Sequence, residues 1–331
     1  MANPPELNLT THLQSLLPSG IRPSLVQEVI PKLVQSLTAI SSALRSSQTV
    51  SQIGTANAFG DDQLNVDVLA EEIIRSAIAK CPSIFTASSE EDPVERSTGS
   101  TADVAEKYTV GFDPLDGSSI IAPNWTVGTI IGIWDGISAL HQSPKNQIAA
   151  ILGVYGPRTT AVIALRVPGC AAACFEVGLG EGKSADSASH IEIVQPKVRL
   201  LDAPFKTRYF APANMRAAAE DEKYMNLITH FVSQRYTLRY SGGLVPDVVH
   251  ALVKGHGIYV SPVTAVSKAK LRRLYELTPI ALIVECAGGL AIDAGDGRSI
   301  LERPIEHTDE RAGLMCGTAE EVEFVRKFLL E

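Results

Sequence analysis

Two carboxylates three residues apart, Asp113 and Asp116, stand in the run Gly111-Phe112-Asp113-Pro114-Leu115-Asp116-Gly117-Ser118-Ser119, which ends in small residues. Side chains in this order can hold metal ions and a phosphate together. Hard divalent cations such as Mg²⁺ take oxygen ligands, often one or two carboxylates plus substrate phosphate. The backbone N–H groups of Gly117, Ser118 and Ser119 could cradle that phosphate. Taken alone, Asp-Pro-x-Asp-Gly also reads as a polar β-turn. More carboxylates accompany it: Glu90 and Glu91 in Ser88-Ser89-Glu90-Glu91-Asp92, Asp61 and Asp67 in the stretch from Gly60 to Asp67, and Glu276 at the end of Lys270-Leu271-Arg272-Arg273-Leu274-Tyr275-Glu276. Each has an ordinary alternative. An acidic triplet suits a solvated loop, Asp67 suits the positive end of a helix dipole, and the basic run suits an exposed helix face.

The elements that must position these groups can be read from apolar runs and breakers. Tyr108 to Phe112 reads as a strand that Pro114 and Gly117 turn at its end, and Ser83 to Thr86 as a second short strand before Glu90. A helix starting near Leu64 carries the stripe Val66, Leu69, Ile73 and Ala77, with Asp67 beside it. Thr278-Pro279 reads as a helix start, with Thr as cap and Pro first, so Glu276 falls just outside that helix. A long helix is expected over 23–46, then a Gly-containing loop over 52–60. Strands follow over 124–134, 148–154, 159–167 and 172–177. Beyond the Gly, Ser and Asp-rich stretch 178–189 come helix 214–232, strand 237–240, helix 244–254, strand 257–260 and helix 279–287. That alternation argues for α/β layering. The expected boundary divides the chain into 1–195, with the carboxylates, and 196–331, with the basic residues.

The chain has 331 residues, 45% hydrophobic and 20% charged, enough to bury a large core. Its 37 acidic and 29 basic residues give a net charge of −8, and no basic stripe with interleaved aromatics appears. This argues against nucleic acid or an anionic membrane as partner. No apolar run approaches the roughly 20 residues of a membrane span. The first ten residues lack the features of a secretory or transit segment, so a cytoplasmic location is expected. Five cysteines, at 81, 170, 174, 286 and 316, are an odd number without zinc-site spacing, and Cys170 and Cys174 read as buried thiols. No Gly-x-Gly-x-x-Gly follows a strand, which sets aside a dinucleotide-binding dehydrogenase.

Taken together, the words DPLDGSS and KLRRLYE and the spacing of Asp61, Asp67, Glu90, Glu91, Asp113, Asp116 and Glu276 resemble the Mg²⁺-dependent sugar bisphosphatases that include fructose-1,6-bisphosphatase. A finer resemblance points to the sedoheptulose-1,7-bisphosphatase branch. It rests on Ile120-Ile121, on Asn124 to Ile130 and on Tyr236 to Asp247. The resemblance implies the α-β-α-β-α layered fold of the sugar phosphatases. It implies two or three Mg²⁺ ions per site, with Mn²⁺ able to substitute. Glu90, Asp113, the Leu115 carbonyl, Asp116 and Glu276 would be the metal ligands. Asp61 would reach a further metal from the mobile loop over 52–60, and Glu91 and Asp67 would polarise the attacking water. Lys270, Arg272, Arg239, Tyr240, Gly242, Gly243 and Asn214 would hold the substrate, a sugar bisphosphate. Arg239 would reach the neighbouring subunit of a homodimer or homotetramer.

The expected reaction is removal of the 1-phosphate of sedoheptulose 1,7-bisphosphate. Fructose 1,6-bisphosphate is the first alternative, then an inositol or nucleotide phosphatase, then a non-catalytic phosphosugar sensor. The chain also departs from the family. Ser261 stands where an aromatic hydroxyl is usual, which implies a roomier sugar pocket. Ser19 to Leu25 replaces a Thr-rich AMP-binding segment, so that Lys107 and Tyr108 cannot form that site alone and no AMP inhibition is expected. No cysteine precedes Cys81, so an N-terminal disulfide control is not expected either.

Overall fold

The computed structural model describes residues 8–56, 62–180 and 190–331. Two sheets form its frame. The larger has eight strands, in the spatial order His190–Gln195, Ala173–Gly180, Thr159–Leu165, Gln147–Tyr155, Val127–Asp135, Tyr108–Asp116, Ile84–Ser89 and Arg96–Ser97. Its neighbours are antiparallel except Ile84–Ser89, which runs parallel to Tyr108–Asp116. The smaller has five strands, in the order Thr237–Leu238, Tyr209–Pro212, Ile258–Ser261, Leu314–Gly317 and Leu290–Ile292.

Among the described residues, alternation of side chains along each strand sets up three large cores, beside a small fourth cluster of Trp134, Ala139, Leu274, Tyr275 and Ile305. Ile131, Ile133, Ile151, Ile163 and Phe175 point from the large sheet toward the helices Leu9–Leu16, Ile30–Ser46 and Asn65–Ile78. Their neighbours Ile130, Leu152, Val162 and Cys174 point the other way, onto the helices Leu244–Lys254 and Thr278–Cys286. Ala211, Tyr259, Ala291 and Cys316 close that second core from the small sheet. Phe210, Ile258, Ile292 and Met315, on the opposite face, pack under Glu222–Ser233 and Ala319–Leu330. The result is the expected order of helix, sheet, helix, sheet and helix. Helix Leu244–Lys254 approaches the large sheet so closely that a Cβ on Gly128 would lie 2.5 Å from the Cβ of Val245. The central strands are buried on both faces, which is why they read in the sequence as unbroken apolar runs.

Several local expectations are corrected. The helix over 23–46 begins as a π-helical turn, Leu25–Val29, before Ile30–Ser46. The helix after Leu64 buries Val66, Asp67, Ala70, Ile74 and Ala77. Leu69 and Ile73 are only half-buried, because Ile73 turns to a groove facing the helix Ile30–Ser46. Within the expected loop over 52–60, Gln52–Ala56 is a strand paired with Asp62–Leu64, whereas 57–61, including Asp61, lie outside the described residues. Thr278 does not cap a helix. The π-helical turn Arg273–Leu277 runs straight into Thr278–Cys286, and the Thr278 hydroxyl donates to the Leu274 carbonyl at 3.5 Å. The helix over 214–232 is broken into a 3₁₀ turn, Met215–Ala219, and the helix Glu222–Ser233, whose N-terminal N–H of Tyr224 is capped by Asp221 at 3.1 Å. The helices Leu9–Leu16 and Ala319–Leu330 and the strands Tyr209–Pro212, Leu290–Ile292 and Leu314–Gly317 carried no sequence expectation. No helix among the described residues is long and apolar enough to cross a membrane.

Candidate active site

Residues three apart on a regular strand face opposite sides of the sheet, so Asp113 and Asp116 could not share a site on one. The strand is not regular there. Asp113 lies opposite Ile130 and Asp116 opposite Gly128, so one extra residue bulges out and both carboxylates are brought to one side. Pro114 has no N–H to give the ladder, and its carbonyl accepts from the Thr129 hydroxyl at 2.8 Å instead. The Leu115 N–H donates to Asp113 at 3.0 Å, and Gly117, at φ +98°, turns the chain into the short helix Ser118–Ile121. Strand Ile84–Ser89 ends beside Phe112, and the Glu90 N–H donates to the Phe112 carbonyl at 3.0 Å. Glu90 therefore arrives next to Asp113.

From the far end of the chain, the π-helical turn brings in Glu276. Such turns place one side chain out of the usual helical register, often at functional sites. One carboxylate oxygen from each of Asp113, Asp116 and Glu276 lies within 4.8 Å of the others, and all three residues are buried. Asp116 also closes the start of helix Leu244–Lys254, accepting from the N–H groups of Leu244 at 3.2 Å and Val245 at 2.7 Å. Glu276 accepts from the Arg272 N–H at 2.5 Å. The buried guanidinium of Arg272 is ion-paired with Glu90. Arg272 is thus turned to the carboxylates rather than to the open pocket expected of it, because four crowded acids need a counter-charge.

Burial pushes the carboxyl groups of Asp113 and Glu276 well above the usual range, and the Glu90 charge adds to it. Asp116 is pushed up to about 7, mainly by burial, with the helix N–H groups working against the rise. Asp67 is likewise raised to about 7 by burial, opposed by the Leu64 N–H at 3.0 Å, and its second oxygen is buried without a partner. Glu91 is raised by burial and accepts from Gln63 at 2.5 Å. A cluster of oxygen donors, buried and short of positive charge, matches what a hard divalent cation requires. Asp113, Asp116 and Glu276 fit such an ion, with Glu90 adjacent.

A cavity of about 450 Å³ opens from Asp116 and Ser119 and is lined by Asn214, Tyr240, Gly242 and Lys270. Asn214 turns its segment with φ +53°, and the Asp247 carboxylate fixes the other by accepting from the N–H groups of Ser241 at 2.7 Å and Gly242 at 3.1 Å. Gly243 directly precedes the helix that binds Asp116, where a Cβ would meet Pro246 at 2.9 Å. Arg239 does not line this cavity. It borders a separate groove with Arg158 and His250, its guanidinium 5.9 Å from the centre of the Tyr209 ring.

Sequence reasoning missed Arg216 and Lys268, which line the cavity, and Glu71 and Arg75, which fasten the Glu90 turn. Ser89 donates to Glu71 at 2.9 Å, accepts from the Asp92 N–H at 3.0 Å, and Arg75 pairs with Glu71 at 2.5 Å. Spacing was the available signal for the first pair, since each lies two residues from a residue already singled out.

Family models describing the N-terminal and C-terminal domains of fructose-1-6-bisphosphatase match residues 22–185 and 203–330. A chloroplastic sedoheptulose-1,7-bisphosphatase of Triticum aestivum is 37% identical over 297 residues, covering 88% of this chain and 71% of that protein. A class 1 fructose-1,6-bisphosphatase of Geobacter sulfurreducens is 32% identical over 329 residues, covering 98% of this chain and 96% of that one. Among solved structures, a candidate sedoheptulose-1,7-bisphosphatase of Toxoplasma gondii superposes with a TM-score of 0.82 at 32% identity, over 97% of this chain and 98% of that chain. With its carboxylate cluster and five-layered fold, this chain belongs to the fructose-1,6-bisphosphatase family and is a phosphatase of sugar bisphosphates.

Proposed function

We propose that the enzyme hydrolyses the 1-phosphate of sedoheptulose 1,7-bisphosphate, giving sedoheptulose 7-phosphate and inorganic phosphate, with Mg²⁺ held by Glu90, Asp113, the Leu115 carbonyl, Asp116 and Glu276. The observation that carries this reading is the adjacency of the buried carboxylate cluster and a cavity with cations along its wall. Bound there, Mg²⁺ would neutralise the phosphoryl oxygens, activate a water and stabilise the departing sugar oxygen. Asp67 and Glu91, made more basic than ordinary carboxylates by burial, are suited to take the proton from the attacking water. Arg272 holds Glu90 in place and offsets its charge. Lys270, Asn214 and Tyr240 face the sugar and its second phosphate, and Gly117, Ser118 and Ser119 face the reacting one.

The preference for the seven-carbon sugar is supported by the greater identity to the wheat enzyme and by Ser261 in the cavity wall, where a small side chain leaves room. Fructose 1,6-bisphosphate is the second reading, favoured by the nearly full-length match to the bacterial enzyme. One carbon unit separates substrates by only about 1–3 kcal/mol, so activity on both is compatible with either preference. Within this reading, residues 1–195 carry the metal-binding carboxylates other than Glu276, and 196–331 carry Glu276 together with the sugar-binding groups. Arg239, pointing away from its own cavity, serves the neighbouring subunit of a homo-oligomer. The test is phosphate release from the two bisphosphates side by side with Mg²⁺ and with EDTA. Faster release from sedoheptulose 1,7-bisphosphate supports the first reading, equal rates a dual enzyme, and release that survives EDTA counts against the metal.

A further inference from the structure

Two cations in the cavity wall stand outside every role assigned so far. Lys268 lies two residues before Lys270, Arg216 lies two residues after Asn214, and all four line the same space as Tyr240 and Ser261. Lys268 and Lys270 are exposed and make no ion pair among the described residues. Exposed lysines are ordinarily mobile, but the backbone beneath Lys268 is tied down. The Thr264 N–H donates to the Ser267 carbonyl at 2.9 Å and the Ser267 N–H to the Thr264 hydroxyl at 2.8 Å, closing a tight loop. Glu220 then fastens that loop to the turn carrying Arg216, accepting from Thr264 at 2.7 Å and from Ser267 at 3.2 Å. Glu220 thus joins the two segments that present Arg216 and Lys268. Its carboxylate is also close enough to feel the charge of Arg216.

We propose that Lys268 and Arg216 join Lys270 in gripping the phosphate that does not react, and that they set how strongly the enzyme prefers a sugar carrying two phosphates to one carrying a single phosphate. This inference rests on the reading that the substrate is a sugar bisphosphate. A dianion remote from the bond being broken meets these cations equally in the bound substrate and in the transition state, so their contribution appears in KM rather than in kcat. A charge-assisted contact of this kind corresponds to about 10-fold in binding.

The experiment compares kcat and KM of the full-length protein with those of Lys268→Ala, Arg216→Ala and Lys268→Arg. Substrates are sedoheptulose 1,7-bisphosphate, fructose 1,6-bisphosphate and fructose 1-phosphate, which lacks the second phosphate. The two alanine variants should raise KM for the better bisphosphate about 10-fold with kcat within about twofold, and leave kcat/KM for the monophosphate unchanged. Lys268→Arg should retain most of the affinity. Unchanged KM in both alanine variants, with the parent active on a bisphosphate, overturns the grip and leaves the proposed function standing. Equal losses on mono- and bisphosphate also overturn it, since they would mean a general disturbance of the site. A parent that releases phosphate from neither bisphosphate overturns the proposed function and the grip with it.

Discussion

Glu91 and Asp67 face the carboxylate cluster with raised pKa values, and turnover should depend most on whichever takes the proton from water. Glu91→Gln keeps the size of the side chain and removes its basicity. Its kcat should fall by about 10²–10⁴ with KM within a few fold, and a rate close to the parent's would pass the role to Asp67. The same burial makes stability depend on pH. Asp67 and Asp116 titrate near 7 in the folded protein against 3.8 when free, so folding takes up protons. Their contribution is therefore complete below about pH 4 and is lost as pH rises through 7. Metal binding acts in the opposite sense, since it requires the ionised carboxylates. After EDTA treatment the protein should melt several degrees lower at pH 8 than at pH 5.5, on the order of a few kcal/mol, and Mg²⁺ should restore most of the loss at pH 8. Thermal melts at the two pH values, with and without Mg²⁺, check this. A metal-free melting temperature that does not change with pH would show that the cluster carries no uncompensated charge.

At the scale of elements, the start of the helical stretch Leu25–Ser46 shows how this chain treats a place where the family resemblance would put AMP. The Glu106 carboxylate accepts from the N–H groups of Ser24 at 3.1 Å and Leu25 at 3.3 Å, and from the buried Tyr108 hydroxyl. Arg22 is held in a two-pronged pair with Asp135, at 2.9 and 2.5 Å. An anionic ligand at this helix start would have to displace the chain's own carboxylate. Phosphate release should therefore be indifferent to AMP, and a saturable loss of rate would contradict that. Glu106→Ala should lower stability by about 1–2 kcal/mol in urea unfolding, through the lost cap and the stranded Tyr108 hydroxyl. The exposed Lys107 ammonium lies 4.9 Å from the centre of the Phe85 ring.

Across the whole molecule, five layers bring segments from opposite ends of the chain to one cleft. Asp116 bonds with Val245 and Arg272 with Glu90, across 129 and 182 residues. Of the expected substrate residues, Arg272 is turned to Glu90 and Arg239 borders a different groove, one that includes Tyr240 and His250. If Arg239 completes the site of a second copy, two inactive variants should repair one another. Co-expressed Arg239→Ala and Glu91→Gln chains should then give mixed oligomers with one intact site, Glu91 coming from one subunit and Arg239 from the other. Activity above that of either variant alone is expected. Activity no higher than their average would keep Arg239 out of catalysis in trans.

Read alone, the sequence determined the class of chemistry and most of the elements, because both are written in local patterns. Carboxylates before a small-residue turn announce an oxygen-ligand site, and strands buried on both faces announce themselves as apolar runs such as Ile148 to Leu152. Local pattern misled where a residue served a distant partner. Thr278 reads as a cap but continues a π-helical turn, and the face of the helix after Leu64 is shifted because Asp67 turns inward with Ala70 and Ile74. Only the tertiary structure decided that a bulge puts Asp113 and Asp116 on one side, that Arg272 answers the charge of Glu90, and that Glu220 fastens Lys268 beside Arg216. The reason is physical. Backbone propensity and hydrophobic period act over a few residues, whereas the pairing of buried charge is settled only when segments more than a hundred residues apart are packed out of water.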